Sequence, residues 1–192
     1  MCRVEPPRFV ALRGWAIFDD PIRTALHKLK YRRDVAMGDS IARQMLSFVR
    51  DLNWPVEMII PVPLGTMRQK ERGYNQVGMI ARPLALALEV DYAPHGLHRR
   101  KETRSQVGLT KQERRKNVQD AFAAHACVNG RRILVLDDVS TTGATLSSSA
   151  EALYSAGAKD VYALTVALIE TGACMTVTSV CDFASAQGGL YV

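Results

Sequence analysis

Residues 133–145 read Ile-Leu-Val-Leu-Asp-Asp-Val-Ser-Thr-Thr-Gly-Ala-Thr. The four apolar residues predict a buried strand, and two adjacent carboxylates, Asp137 and Asp138, lie at its carboxyl end. A loop of small, hydroxylated residues follows and opens a predicted helix over 146–156. The backbone N–H groups of such a loop and the helix dipole favour a phosphate, and the carboxylates can accept hydrogen bonds from sugar hydroxyls. The stretch therefore predicts a site for a phosphorylated sugar. The alternative is an ordinary strand-to-helix turn with an acidic edge.

Strands and helices alternate on both sides of this stretch. A helix that begins at Pro21 is predicted, with Asp20 as its N-cap. Residues 65–75 are predicted to form a polar, basic loop. Pro83 predicts a kink in the helix at 76–88, or a helix that begins near this proline. The predicted helices are the one after Pro21, 40–50, 76–88 and 146–156, and the predicted strands are 56–62, 121–124, 131–137 and 161–168. This alternation predicts an α/β fold with a mostly parallel, twisted sheet flanked by helices, in which ligands bind beyond the carboxyl ends of the strands.

Composition is that of an ordinary globular domain. The chain has 192 residues, of which 47% are hydrophobic and 23% charged. No apolar run reaches the roughly 18 residues that a membrane-spanning helix needs. The first residues lack the apolar core of a signal peptide. We therefore expect a cytoplasmic protein without membrane insertion. Nothing in the sequence indicates an oligomeric state.

The cysteines and histidines lack the spacing of metal ligands. Neither set contains a Cys-x-x-Cys pair or a comparable cluster, so we expect free thiols and no zinc site. The residues concerned are Cys2, Cys127, Cys174, Cys181, His27, His95, His98 and His125.

One segment carries the entire excess of positive charge. Residues 99–116 contain eight basic and two acidic residues, which equals the net charge of +6 of the whole chain. A polyanionic ligand is therefore expected near this segment. Thr110 and Glu113 form a capping box that predicts a short basic helix inside it.

Residues 133–145 resemble the phosphoribosyl pyrophosphate (PRPP) binding motif of type I phosphoribosyltransferases, and they do not form a Walker A loop. The resemblance implies a PRPP ligand with bound Mg²⁺ and a small hood region over the sheet. Asp137 and Asp138 would be the catalytic acids that contact the ribose hydroxyls, directly or through metal-bound water, with no direct protein ligand to the metal. The loop for the 5′-phosphate would comprise Ser140, Thr141, Thr142, Gly143, Ala144 and Thr145.

Residues 60–64 and 68–76 resemble the pyrophosphate-binding loop of one subgroup, the ComF-like proteins, above all in Arg-Gly-Tyr-Asn-Gln at 72–76. The resemblance implies that the diphosphate is bound by Arg68, Lys70, Arg72 and Asn75. Cations are the groups that a leaving diphosphate needs. The alternative is a solvated basic loop.

Two further segments resemble the same subgroup. Residues 99–109 and 113–118 resemble its flexible hood, which in related transferases closes over the diphosphate and excludes water. The hood residues implied are Arg99, Arg100, Thr103, Arg104 and Gln106. A nucleic-acid backbone could also use this segment. Residues 27–34 resemble a Lys-Tyr-basic element, for which the alternative is a helix with an exposed basic end.

The resemblance covers roughly residues 20–170. Many ComF-like proteins begin with a four-cysteine zinc ribbon, of which only Cys2 has a counterpart here. We therefore expect an N-terminal segment at 1–18 as a remnant of that region, a phosphoribosyltransferase-like domain at 19–170, and a C-terminal extension at 171–192 that forms an edge strand or a tail.

The family resemblance implies transfer of a phosphoribosyl group with Mg²⁺-assisted release of diphosphate, in a protein linked to competence and DNA uptake. The alternative is a non-catalytic accessory protein that senses PRPP or binds single-stranded DNA beside a helicase-like competence protein. No residue pattern names the acceptor substrate.

Overall fold

The computed structural model describes residues 9–100 and 121–169. The strands of the described chain are β1 (Ala11–Ile17), β2 (Met58–Pro61), β3 (Asp91–Tyr92), β4 (Leu97–Arg99), β5 (Phe122–Ala124), β6 (Arg132–Ser140) and β7 (Asp160–Leu168). The helices are α1 (Ile22–Arg32), α2 (Val35–Asp51), α3 (Thr66–Arg72), α4 (Gln76–Leu88) and α5 (Ala144–Ser155), with a 3₁₀ turn at Ala126–Val128.

A five-stranded parallel sheet forms the centre of the molecule, in the order β1-β7-β6-β2-β3. β6 lies in the middle, and its residues Ile133–Leu136 are fully buried. A continuous apolar run is typical of a parallel strand that is covered on both faces. The predicted α/β class with a mostly parallel, helix-flanked sheet is confirmed.

The two faces of the sheet are covered by different elements. Helices α1, α2 and α4 pack on the face that carries Leu134 and Leu136. Helix α5 and the two-stranded antiparallel sheet of β4 and β5 pack on the face that carries Ile133 and Val135. Alternate residues of β6 therefore point into different cores, as the period of a strand requires.

The N-terminal strand was not predicted. Residues 1–18 are predicted as a segment before the domain without a strand, whereas β1 pairs with β7 over most of its length and forms one edge of the sheet. Trp15 and Ala16 of this strand are buried in the core. The strand carries Arg13 and Gly14 in its middle, which weakens its apolar pattern, so pairing with β7 rather than local propensity forms it.

Two other local predictions were wrong. Residues 65–75 contain helix α3 instead of a continuous loop, and Gly73 ends that helix in the left-handed conformation. Asp20 does not cap α1: Pro21 occupies the N-cap position after a cis peptide bond, and the Asp20 carboxylate accepts hydrogen bonds from Thr24 and Arg23.

The remaining element predictions agree with the structure apart from their ends. Helix α4 has the predicted bounds and runs through Pro83, and α2 begins at Val35, well before the predicted residue 40. No helix within residues 9–100 and 121–169 has the length and apolarity needed to cross a membrane. The predicted capping box at 110–113 and the C-terminal extension lie outside the described residues.

Candidate functional site

The loop between β6 and α5 leaves a helix N-terminus without a side-chain cap. Gly143 takes the N-cap position with a φ of 71°, a left-handed conformation that glycine adopts readily. Its N–H donates to the Ser140 hydroxyl at 3.2 Å, which closes the turn. Glycine has no side chain that could cap α5, and the N-terminus of this helix follows the carboxyl end of β6. Such an end is suited to an anion.

The two adjacent aspartates lie within β6 and not after it. The strand continues to Ser140, and the two carboxylates lie close enough to interact, since the side chain of Asp138 contributes to the raised pKa of Asp137. Asp138 shares the face of Leu134 and Leu136 and is only 8% exposed. Asp137 is half-buried. The sequence showed a pair of acids but not this difference in burial.

Asp138 is held by three donors. Lys30 Nζ of α1 lies 2.8 Å from its Oδ2, and Gln76 Nε2 of α4 donates to the same oxygen at 3.0 Å. The Val139 N–H donates to Oδ1 at 2.8 Å. Burial by itself raises the pKa of Asp138, but the charge of Lys30 and the hydrogen bonds outweigh burial and hold that pKa below its usual value. Asp138 is therefore an anion at neutral pH.

Asp137 has the opposite electrostatic character. Burial first, and then the negative charge of Asp138, raise the pKa of Asp137 to about 7. The backbone N–H of Asp138 donates to its Oδ1 at 2.9 Å. Asp137 is therefore the acid of the pair that gains or loses a proton near neutral pH.

The basic residues predicted for the diphosphate lie in α3. Arg68 and Lys70 are exposed, and Arg72 is half-buried at the end of the helix. The Arg72 guanidinium donates to Gln76 Oε1 at 2.8 Å and lies over the Tyr31 ring at 5.4 Å from its centroid. Arg72 is thus joined through Gln76 to Asp138, whereas Arg68 and Lys70 face solvent.

Asn75, also predicted for the diphosphate, makes two hydrogen bonds to the backbone. Its Oδ1 accepts from the Val77 N–H as the N-cap of α4, and its Nδ2 donates to the Val62 carbonyl at 2.9 Å. These bonds fasten the start of α4 to the end of β2, which holds the loop between them in place.

The Lys-Tyr-basic element at 27–34 packs against the same loop. The Tyr74 hydroxyl donates to the Leu29 carbonyl at 2.8 Å and accepts from the Arg33 N–H at 3.1 Å. Lys30 is only 23% exposed in its side chain and pairs with Asp138 instead of forming an exposed basic helix end. Lys30 and Gln76 are the two polar contacts that sequence reasoning missed, although both lie inside the segments whose resemblance it noted.

The structure describes only part of the predicted hood. Arg99 ends β4 with its guanidinium 4.9 Å from the centroid of the Phe122 ring, and the Arg100 N–H donates to the Ala121 carbonyl at 2.7 Å. The predicted hood residues Thr103, Arg104 and Gln106 lie outside the described residues. Within the described ranges, no group of three or more His, Cys, Asp or Glu side chains could hold a metal ion.

The parallel, helix-flanked sheet and the motif at the end of β6 together resemble those of phosphoribosyltransferases. The chain is 31% identical to the DNA utilization protein YhgH of Escherichia coli O157:H7 over 166 residues, which cover 83% of the chain and 73% of that protein. It is 32% identical to competence protein F of Haemophilus influenzae, and this match covers 74% of the chain and 66% of that protein. It is 27% identical to competence protein ComFC of Bacillus subtilis, and this match covers 73% of the chain and 56% of that protein. The chain belongs to the ComF-like family of these relatives. No family model matches it.

Solved structures with a similar fold have low sequence identity. A phosphoribosyltransferase from Corynebacterium diphtheriae is 17% identical, covers 78% of this chain and 95% of its own, and gives a TM-score of 0.41. A glutamine PRPP amidotransferase from B. subtilis is 18% identical, the match covers 73% of this chain and 26% of that one, and the TM-score is 0.44. Both scores are below 0.5, so family membership rests on the sequence relatives.

Proposed function

We propose that the chain binds PRPP together with Mg²⁺ at the carboxyl ends of β2 and β6 and transfers its phosphoribosyl group with release of diphosphate. We further propose that this activity serves DNA utilization or competence, the processes that appear in the names of its relatives. The observation that carries the proposal is the N-terminus of α5, which has no side-chain cap and follows directly after the end of β6 that carries the acid pair. A phosphate beside two sugar-binding carboxylates is the arrangement that a phosphoribosyl ligand requires.

The 5′-phosphate occupies the turn from Ser140 to Thr145. Gly143 and Ala144 carry no bulky side chain, so the phosphate oxygens can approach the backbone N–H groups closely. The Thr141, Thr142 and Thr145 hydroxyls supply further donors. The dipole of α5 adds a favourable interaction with the negative charge.

The acid pair faces the ribose. Asp138 is anionic and fixed in place, and Asp137 is nearer to solvent with its pKa raised to about 7. The bond between the anomeric carbon and the diphosphate oxygen breaks, the diphosphate leaves with both electrons, and positive charge develops on the ribose. A nucleophilic acceptor then donates an electron pair to the anomeric carbon and forms the new bond. The two carboxylates stabilise that charge electrostatically.

Arg68, Lys70 and Arg72 receive the leaving diphosphate. Mg²⁺ enters with PRPP and offsets charge on the diphosphate. An ion that is held by PRPP without a direct protein ligand fits the described residues, because both oxygens of Asp138 already accept hydrogen bonds from protein groups. Asp137 would then reach the ion through water rather than as a direct ligand.

A second candidate function is binding of single-stranded nucleic acid as an accessory protein. A groove of about 1300 Å³ lies beside α3 and α4, and the basic residues Arg33, Lys70, Arg82 and Arg99 line it. Asp39 is the one acidic residue among the described residues of its lining. Tyr74 and Tyr92 also line the groove and are the type of side chain on which bases stack.

Calorimetric titration with PRPP, with and without Mg²⁺, tests the main proposal. Saturable, Mg²⁺-dependent binding followed by diphosphate release in the presence of candidate acceptors is expected. Absence of binding at millimolar PRPP would contradict it.

Binding of a labelled oligonucleotide tests the second candidate. The affinity should fall steeply with salt, because phosphate contacts release counterions. Changing Arg33 and Arg82 to Gln should reduce that salt dependence. A wild-type salt response in this double variant would contradict the groove as the binding surface.

A further inference from the structure

A buried glutamine connects the two halves of the candidate site. Gln76 is the first residue of α4 and is only 3% exposed. Its side-chain amide makes one contact at each end, 2.8 Å from the Arg72 guanidinium and 3.0 Å from Asp138 Oδ2. Neither partner is close to Gln76 for reasons of helix packing alone, because Arg72 precedes the helix and Asp138 lies 62 residues away on β6.

The chemistry of the partners fixes the orientation of this amide. A guanidinium can only donate hydrogen bonds, so the amide oxygen must face Arg72. An ionised carboxylate can only accept them, so the NH₂ group must face Asp138. A flipped amide would lose both bonds in a buried place, at the full cost of unpaired polar groups. The hydrogen bonds therefore run in one direction, from Arg72 through Gln76 to Asp138.

Arg72 and Asp138, the two ends of this row of hydrogen bonds, are each held by further groups. The Tyr31 ring lies under the Arg72 guanidinium, and Lys30 and the Val139 N–H hold Asp138. Asn75 fastens the start of α4 to β2, so Gln76 itself has a fixed position. Side chains with their rotamers locked by such contacts hold a binding geometry closely.

We propose that Gln76 is a positioning residue that holds Arg72 and Asp138 in a fixed relation and so joins the diphosphate end of the site to its ribose end. This inference rests on the proposed function, because it assigns those ends to Arg72 and Asp138. Gln76 itself touches no ligand. Its loss weakens the binding of both halves of PRPP.

The test uses the two halves of PRPP as separate probes, inorganic diphosphate and ribose 5-phosphate, titrated calorimetrically into the full chain at a fixed Mg²⁺ concentration. Gln76→Met has a similar length and no hydrogen-bonding amide. We expect it to raise the dissociation constant of both probes about fivefold or more, as for the loss of a charge-assisted hydrogen bond. Gln44→Met on α2, whose amide contacts Ser40 away from this site, is the matched control and should change neither.

Double-mutant cycles separate positioning from a general loss of structure. Arg72→Met should weaken diphosphate, and in that background Gln76→Met should change diphosphate affinity by no more than about twofold. The same should hold for ribose 5-phosphate in an Asp138→Asn background. Additive losses in both backgrounds would overturn the proposal, because they would mean that Gln76 acts through overall stability.

A second variant covers the case in which Gln76→Met does not fold. The carboxylate in Gln76→Glu can still accept a hydrogen bond from Arg72, but it has no donor for Asp138. The loss of affinity for ribose 5-phosphate should therefore exceed the loss of affinity for diphosphate by about fivefold or more. Equal losses would overturn the proposal. If the wild-type chain binds PRPP and the losses in the double-mutant cycles are additive, only the role of Gln76 is refuted. If the wild-type chain binds neither PRPP nor the two probes, the proposed function itself is refuted.

Discussion

The two faces of the sheet differ at the end of β6. On the face of α1 and α4, Asp138 is buried and held by Lys30 and Gln76, and the Gln76 amide also pairs with Arg72. Asp137 next to it is half-buried, and on the other face α5 begins without a side-chain cap. The first face is an ordered polar frame with hydrogen bonds between protein groups, and on the second face the helix begins at a glycine that has no side chain to cap it.

This difference explains how two neighbouring, identical side chains acquire different properties. A cation within hydrogen-bond distance favours the ionised form of Asp138, and burial beside a like charge disfavours the ionised form of Asp137. Pairs of titratable groups whose environments push their pKa values apart are typical of sites where one group holds charge and the other exchanges a proton.

Replacing Lys30 by Met should have the largest effect on stability. It leaves the buried Asp138 carboxylate without its counter-ion, and breaking such a pair costs about 3 kcal/mol. The free energy of unfolding, measured in urea at pH 7, checks this. Lys28→Met, two residues earlier on the same helix, is the matched control. Equal losses in the two variants would mean that the Lys30–Asp138 pair adds nothing specific.

Asp138→Asn should weaken PRPP binding by at least about tenfold, which corresponds to ~1.4 kcal/mol. The substitution removes the fixed negative charge beside the ribose and leaves Lys30 unpaired. Calorimetric titration with Mg²⁺ measures the change, with the exposed Asp51→Asn as control. Wild-type affinity in a folded Asp138→Asn protein would remove Asp138 from the site.

Asp137→Asn should stabilise the protein at pH 8. The pKa of Asp137 is raised from 3.8 to about 7 in the folded chain, so the folded state binds more protons than the unfolded state between those values. Stability from this group is therefore present at low pH and is lost as pH rises toward 7. The variant should gain about 1.4 kcal/mol or more at pH 8, the equivalent of one pKa unit, and nothing near pH 4.

Thermal unfolding of the wild type and of Asp137→Asn across this pH range measures the difference, with Asp51→Asn as control. A constant offset between the curves from pH 4 to 8 would contradict the raised pKa of Asp137.

Tyr74→Phe should have the smallest effect, a loss of about 1 kcal/mol. The hydroxyl bridges the Leu29 carbonyl and the Arg33 N–H, and its removal leaves both without that partner. Tyr31→Phe removes a hydroxyl from an exposed ring and serves as control. A similar, small change in unfolding free energy for both variants would mean that Tyr74 does not hold the end of α1.

Much of the architecture is visible in local sequence patterns. The apolar run at 133–136, the period of Ile22, Ala25, Leu26 and Leu29, and the bounds of α4 follow from side-chain periodicity and capping, which act over a few residues. β1 escaped prediction because its pattern is weak and its partner, β7, is about 150 residues away. Helix α3 was missed because all of its residues except the exposed Met67 are polar and none is buried.

The sequence by itself indicates the chemistry of the candidate site: the acids, the small-residue loop and the basic segment are contiguous motifs whose residue types suit a phosphorylated sugar. Tertiary structure alone brings Lys30 and Gln76 to Asp138, which joins Arg72 to this carboxylate through Gln76, and it gives the two acids different protonation. The physical reason is distance along the chain, since Lys30 and Gln76 meet Asp138 only after α1 and α4 have packed on one face of β6. Charge and burial then act on a geometry that no local pattern encodes.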